Sequence, residues 1–239
     1  MPLWLAVAVL PGLGARRRLT RAVARLMFRC AGLPLRAGGL DHLAAWRAGQ
    51  AGGRSGRRLP GCLVAVNHAS YLDGIALIAM LPPDFAIVAK RELDDSFLTR
   101  GMMRRLGTLL VERFDPVQSA GEVPKAAAAL AGGESLVIFP EGTFKRAPGL
   151  RSFRLGGFLA AAQAGAAVFP AVLRGTRHVF RDDAAIFRRG TVELEVAPPI
   201  RPDGDDWAAA IRLRDRVRAA ILERCGEPDA VAGATGGET

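Results

Sequence analysis

Apolar and polar positions along this chain follow two periods. Six continuous apolar runs, bounded by Gly, Pro, Asn or Asp, read as strands: Leu63–Val66, Phe85–Ala89, Thr108–Glu112, Ser135–Phe139, Val168–Leu173 and Thr191–Val196. Between them the apolar spacing is helical, over Tyr71–Met80, Asp95–Leu106, Ala120–Leu130, Leu155–Ala164 and Trp207–Arg224. Runs that alternate in this way predict an α/β fold, a largely parallel central sheet flanked by helices. No internal repeat or interdomain linker interrupts residues 36–225, which read as a single domain. The Gly- and Arg-rich stretch from Gly38 to Pro60 reads as a strand edge or short helix followed by a mobile loop. Residues 226–239 are small and polar and read as a disordered tail.

The first 35 residues have a different pattern. Met1 to Ala15 carry no charged side chain, but Pro11, Gly12 and Gly14 interrupt the run, and it is shorter than a spanning helix needs. The arginines follow the apolar segment instead of preceding it, which disfavours a secretion signal and favours a cytoplasmic body. In the next segment Arg18, Arg21, Arg25 and Arg29 form one helical stripe, and Leu19, Val23, Leu26, Met27 and Cys30 another. Two readings fit: a helix packed on the core with a solvated basic face, or an amphipathic anchor lying in a membrane interface. The uncharged segment in front favours the anchor.

Composition narrows the partners. The chain has 239 residues, 50% hydrophobic and 23% charged, which is the balance of a folded protein. A net charge of +10 calls for a polyanionic partner: nucleic acid, an anionic membrane face or a phosphorylated substrate. One tyrosine and 6% aromatic residues leave little surface for base stacking, so nucleic acid is the remote choice. Cys30, Cys62 and Cys225 are widely spaced and odd in number, which argues against a zinc site or a disulfide framework.

The candidate chemistry starts where the Leu63–Val66 strand ends, in Asn67-His68, with Asp73 five residues after the histidine. Residues five apart sit about 140° apart around a helix axis, so the two cannot share a helix face. If the chain turns after Asn67, Asp73 enters the first helical turn and reaches back to one imidazole nitrogen. The carboxylate then fixes the tautomer, and the other nitrogen is available to take a proton. The alternative is a capping Ser70 beside a structural histidine. A second apolar strand ends in Glu141-Gly142-Thr143, at the carboxyl edge where ligands of α/β sheets gather. Lys145, Arg146, Arg151 and Arg154 crowd the same loop.

Together the blocks "NHASYLD" (67–73), "GTLLVER" (107–113), "FPEGTF" (139–144) and "VFPAVL" (168–173) resemble, in order and spacing, the phospholipid and glycerol acyltransferase family. Its best-known members are the 1-acyl-glycerol-3-phosphate acyltransferases. The resemblance implies a glycerol-3-phosphate acyltransferase-like fold in which His68 is the general base and Asp73 orients it. It also implies that Asn67, Lys90, Arg113, Glu141, Gly142 and Thr143 line the substrate site. Phe144 departs from the family, which carries arginine or another polar residue there. Either Lys145 or Arg146 then supplies the cation, or the acceptor is not a simple phosphomonoester.

The implied reaction moves a fatty acyl group from acyl-CoA or acyl carrier protein to a lysophospholipid hydroxyl, with 1-acyl-sn-glycerol 3-phosphate the leading acceptor. It uses no metal, no further cofactor and no covalent acyl-enzyme. The absence of a G-x-S-x-G elbow counts against a serine hydrolase. A lyso-ornithine lipid is the rival acceptor. The expected location is the cytoplasmic face of the inner membrane.

Overall fold

The computed structural model describes residues 7, 9–51, 60–90, 101, 105–111, 122–180 and 188–231. In chain order they form α1 (Leu13–Cys30), β1 (Leu35–Gly38), α2 (Leu40–Ala51), β2 (Leu63–Val66), α3 (Leu72–Met80), β3 (Phe85–Lys90) and β4 (Leu109–Val111). There follow α4 (Glu122–Ala131), β5 (Ser135–Ile138), α5 (Gly156–Ala164), β6 (Val168–Arg174), the short α6 (Thr176–Val179), β7 (Val192–Val196) and α7 (Trp207–Cys225). The predicted helix Asp95–Leu106 falls mostly on residues outside the described set.

Among the described residues, seven strands make one sheet in the order β1-β7-β6-β2-β5-β3-β4. Neighbours are parallel throughout except for the antiparallel pair β6–β7. Strand β2 explains the continuous apolar runs, because both of its faces are covered. Leu63 and Ala65 pack with Phe158 of α5 and Leu213 of α7. Val64 and Val66 pack on the opposite side with Phe28 of α1 and Leu77 of α3. Each fully buried side chain of this size contributes roughly 1.5–3 kcal/mol of apolar burial. Asp206 caps α7, its carboxylate accepting the Ala209 N–H at 2.7 Å. Because β2, β3 and β5 run parallel, their carboxyl ends at Val66, Lys90 and Ile138 lie at one edge of the sheet.

Three expectations need correction. First, β1 was not predicted as a strand; of its four residues only Leu35 is half-buried, so it leaves no apolar run in the sequence. Its partner is β7, and the chain then turns directly into α2 where a strand edge or short helix was left open. The mobile loop predicted further on falls on residues 52–59, outside the described set.

Second, the basic stripe of α1 is solvated only in part: Arg18, Arg25 and Arg29 are exposed, but Arg21 is half-buried, as is Arg17 beside the stripe. Arg17 donates to the carbonyls of Leu106 at 2.8 Å and Asp84 at 3.0 Å. Arg21 donates to Met80 at 3.1 Å and Arg25 to Ala79 at 2.8 Å. The last two acceptors are at the carboxyl end of α3, where carbonyls lack helical partners and the helix dipole favours cations. Thr20, Ala24 and Phe28 are buried between these arginines and the sheet. Within the apolar stripe Leu19 and Val23 are half-buried, while Leu26 is 58% and Met27 53% exposed. Among the described residues, no helix is long and apolar enough to cross a membrane.

Third, the predicted disordered tail begins with an ordered stretch. Leu150 pairs with Asp229 as a parallel bridge, its N–H donating to Pro228 O at 2.8 Å while Ala230 N–H donates to Leu150 O at 3.1 Å. Arg177 holds Glu227 through two bonds, 2.9 and 3.1 Å, and Arg218 holds Asp229 in the same two-point manner. These acids had read as polar tail residues; their arginine partners are distant in sequence.

Candidate active site

His68 leaves β2 at its carboxyl end, and the chain turns before α3 begins at Leu72. That turn brings Asp73, in the first turn of α3, back under the imidazole. Asp73 is fully buried, and its Oδ2 lies 2.7 Å from His68 Nδ1. The same oxygen accepts the backbone N–H groups of Ala69 at 2.6 Å and Ser70 at 2.9 Å. An oxygen already accepting two N–H donors is an acceptor towards the ring as well, so Nδ1 carries the proton. Nε2 is left with its lone pair. Asp73 Oδ1 is buried without a partner among the described residues. Ser70, the alternative cap, donates its hydroxyl to Phe180 O at 2.9 Å and accepts Leu72 N–H at 3.3 Å.

Aromatic rings frame the imidazole. Phe139 stacks on it, with centroids 4.2 Å apart and planes 20° apart, and Phe144 meets it edge-on at 4.8 Å. Tyr71, itself 63% exposed, meets Phe144 edge-on at 4.7 Å. Phe139 and Tyr71 were not singled out in the sequence, because an aromatic in a strand run reads as core. The His68 side chain remains 18% exposed.

Glu141 ties the two loops together. Its Oε1 accepts the His68 backbone N–H at 2.7 Å, and its Oε2 accepts the Arg151 N–H at 3.0 Å. Burial raises its pKa above the usual glutamate range, and the two amide donors oppose that shift. Asn67 is likewise used inside the protein, donating to Leu173 O at 3.0 Å and accepting Leu173 N–H at 2.7 Å. It pins the end of β2 to β6.

Gly142 sits at φ +75°, a left-handed conformation that glycine adopts without strain. Thr143 is exposed, and its hydroxyl makes only a 3.4 Å contact with Phe144 O. Lys145 and Arg146 are exposed, and their carbonyls accept Arg177 at 2.7 and 3.2 Å. Lys90 closes β3 at the same sheet edge as His68 and Glu141. Arg113 lies outside the described residues.

A buried carboxylate that orients an imidazole is an arrangement suited to general-base chemistry. Residues 52–174 match the family model described as Acyltransferase. A chloroplastic 1-acyl-sn-glycerol-3-phosphate acyltransferase of Arabidopsis thaliana, LPAT1, is 30% identical over 135 residues, 56% of this chain and 38% of that protein. The 1-acyl-sn-glycerol-3-phosphate acyltransferase of Neisseria gonorrhoeae is 32% identical over 142 residues, 57% of this chain and 53% of its own. The chain thus spans about half the length, or less, of these curated relatives. In fold it is similar to the crystal structure of the 1-acyl-sn-glycerophosphate (LPA) acyltransferase, PlsC, from Thermotoga maritima. The TM-score is 0.69 at 18% identity, covering 99% of this chain and 88% of that one. With the family model matching more than half of its length around a histidine–aspartate pair, the chain belongs to the acyltransferase family.

Proposed function

We propose that this acyltransferase moves a fatty acyl group from acyl-CoA or acyl carrier protein to the free hydroxyl of 1-acyl-sn-glycerol 3-phosphate. The product is phosphatidic acid, for phospholipid synthesis. The observation that carries the reading is the Nδ1–Asp73 bond, which leaves His68 Nε2 as the proton acceptor. Nε2 takes the hydroxyl proton as the oxygen attacks the thioester carbon. The C–S bond then breaks, and the imidazolium returns the proton to the departing thiol. That both relatives are 1-acyl-sn-glycerol-3-phosphate acyltransferases supports the acceptor. Lys90, Arg113 and the Gly142-Thr143 turn serve the acceptor headgroup in this reading.

One observation favours a second acceptor. Phe144 puts a ring against His68 where the family places a polar side chain, which suits a headgroup without a phosphomonoester, such as a lyso-ornithine lipid. The test is product formation by purified protein from a panel of lysolipids, with each donor in turn. Phosphatidic acid formed from lysophosphatidate supports the first reading; turnover confined to lyso-ornithine lipid replaces it with the second.

The enzyme meets its lipid through α1, whose exposed Leu26 and Met27 lie among the exposed Arg18 and Arg29. A helix presenting apolar and cationic groups together lies in the headgroup region of an anionic bilayer. The surface in this reading is the cytoplasmic face of the inner membrane.

A further inference from the structure

The side chain of Arg154 lies across the turn that holds His68. A Cβ built on Gly142 would stand 2.3 Å from Arg154 Nε and 3.1 Å from its Cζ. The guanidinium therefore packs directly on the glycine backbone, in space that any side chain at position 142 would fill. Its own backbone is fixed there too, because Arg154 N–H donates to Pro140 O at 2.8 Å. Gly142 follows Glu141, whose carboxylate holds the His68 amide, and Phe144 in the same turn touches the imidazole.

Arg154 is half-buried, yet no carboxylate or carbonyl among the described residues accepts a hydrogen bond or ion pair from its side chain. Two other arginines of this region are satisfied within the protein, whereas Arg151, also half-buried, donates no side-chain hydrogen bond among the described residues. Arg177 is held by Glu227 and Arg218 by Asp229. A guanidinium has five donors and is partly stripped of water here, so holding it with no acceptor is unfavourable unless a ligand provides one. Its planar fork matches two oxygens of a phosphate. The cations next to Phe144 in sequence are placed less well for that task. Lys145 and Arg146 are exposed, and Arg177 draws their carbonyls towards Glu227.

We propose that Arg154 binds the phosphomonoester of the acceptor, taking in space the role that Phe144 vacates in sequence. The inference rests on the lysophosphatidate reading above and names the residue that makes it chemically workable. Arg154 positions substrate; the proton transfer remains with His68.

The experiment compares Arg154→Gln, Arg154→Lys, Lys145→Gln and Arg146→Gln with the parent protein. The acceptors are lysophosphatidate and its phosphate-free counterpart, 1-acylglycerol, with one donor throughout. Loss of a charge-assisted contact should raise the KM for lysophosphatidate roughly ten- to a hundredfold in Arg154→Gln. The KM for 1-acylglycerol and for the donor, and the melting temperature, should stay within a factor or a degree or two of the parent. Arg154→Lys keeps the charge but not the fork, and should recover part of the loss.

An unchanged lysophosphatidate KM in Arg154→Gln overturns the assignment while the acceptor reading stands. So does a rise confined to Lys145→Gln or Arg146→Gln. Equal losses on both acceptors mark a structural role and overturn it as well. Parent protein that turns over no lysophosphatidate overturns the acceptor reading and this inference with it.

Discussion

Glu141 Oε1 lies 2.7 Å from the backbone nitrogen of His68, so the loop after β5 holds the loop after β2. His68 is fixed at two points by different acids. Asp73 orients the ring, and Glu141 orients the peptide that carries it. The two acids make separable predictions.

His68→Ala removes the proton acceptor and should lower kcat by about 10²–10⁴ with the thermal melt unchanged, because the group acts chiefly in the transition state. Asp73→Asn should keep some turnover. An amide can still accept from Ala69 and Ser70, but its NH₂ group cannot stabilise the imidazolium. Steady-state kinetics beside circular-dichroism melts checks both; full activity in the histidine variant contradicts the mechanism.

Glu141→Gln should reduce kcat more than KM, since one of the His68 and Arg151 amides loses its acceptor, a loss of about 1–3 kcal/mol. Its pH signature is specific. Burial raises the folded-state pKa of Glu141, so the folded protein holds this proton more tightly than the unfolded chain does. The stability associated with this group therefore falls as pH rises from the unfolded value through the folded one, and levels off above it. Melting temperatures measured from pH 4 to 8 should show that slope in the parent and not in the glutamine variant.

Replacing both Leu26 and Met27 with glutamate should leave the fold within about 0.5 kcal/mol, because both are exposed surface positions. Sedimentation with phosphatidylglycerol vesicles should fall sharply. Phe28→Ala should do the reverse, destabilising by about 3–5 kcal/mol, because Phe28 is buried in the core. Deleting the helix outright would confuse the two effects, since it also removes the arginines that cap α3. Vesicle binding unchanged in the double glutamate variant would place the membrane contact elsewhere.

Glu227→Gln with Asp229→Asn should loosen the 145–151 loop without touching the sheet. Both ion pairs are largely sheltered, with side-chain exposures of 23% and 19% for Arg177–Glu227 and 17% and 27% for Arg218–Asp229. Their partners would be left with weaker acceptors. Limited proteolysis should then cut within this loop first, and the KM for the acceptor should rise several-fold while that for the donor holds. Protease resistance equal to the parent would show that the backbone bridge at Leu150 suffices alone.

The parts of the structure legible in the sequence were those set by local pattern. Strands such as β2 announced themselves because burial on both faces demands unbroken apolar residues, whereas β1, nearly all exposed, left no trace. The His68–Asp73 pair was readable because one turn of chain joins its members. Periodicity sorted the faces of α1 but did not show which of its arginines would find backbone carbonyls. Arginine has an apolar stem and a fork of donors, and such a face packs inward wherever carbonyls await it. The partners of Glu141 and Glu227 were beyond reach for a single reason. Each acid acts through a partner chosen by the fold, and the residue type alone does not say whether a charge faces solvent, backbone or substrate.

The bridge between Leu150 and Asp229 also orders events during synthesis. A chain emerging from the ribosome can form β2, α3 and β5, and with them the His68–Asp73–Glu141 assembly, long before residue 229 exists. The loop bearing Arg154 is already held at Pro140 and Glu141, but it gains its tie at Leu150 only when the segment after α7 arrives. The His68–Asp73–Glu141 assembly can therefore form before the tie at Leu150, which waits for residues 228–230.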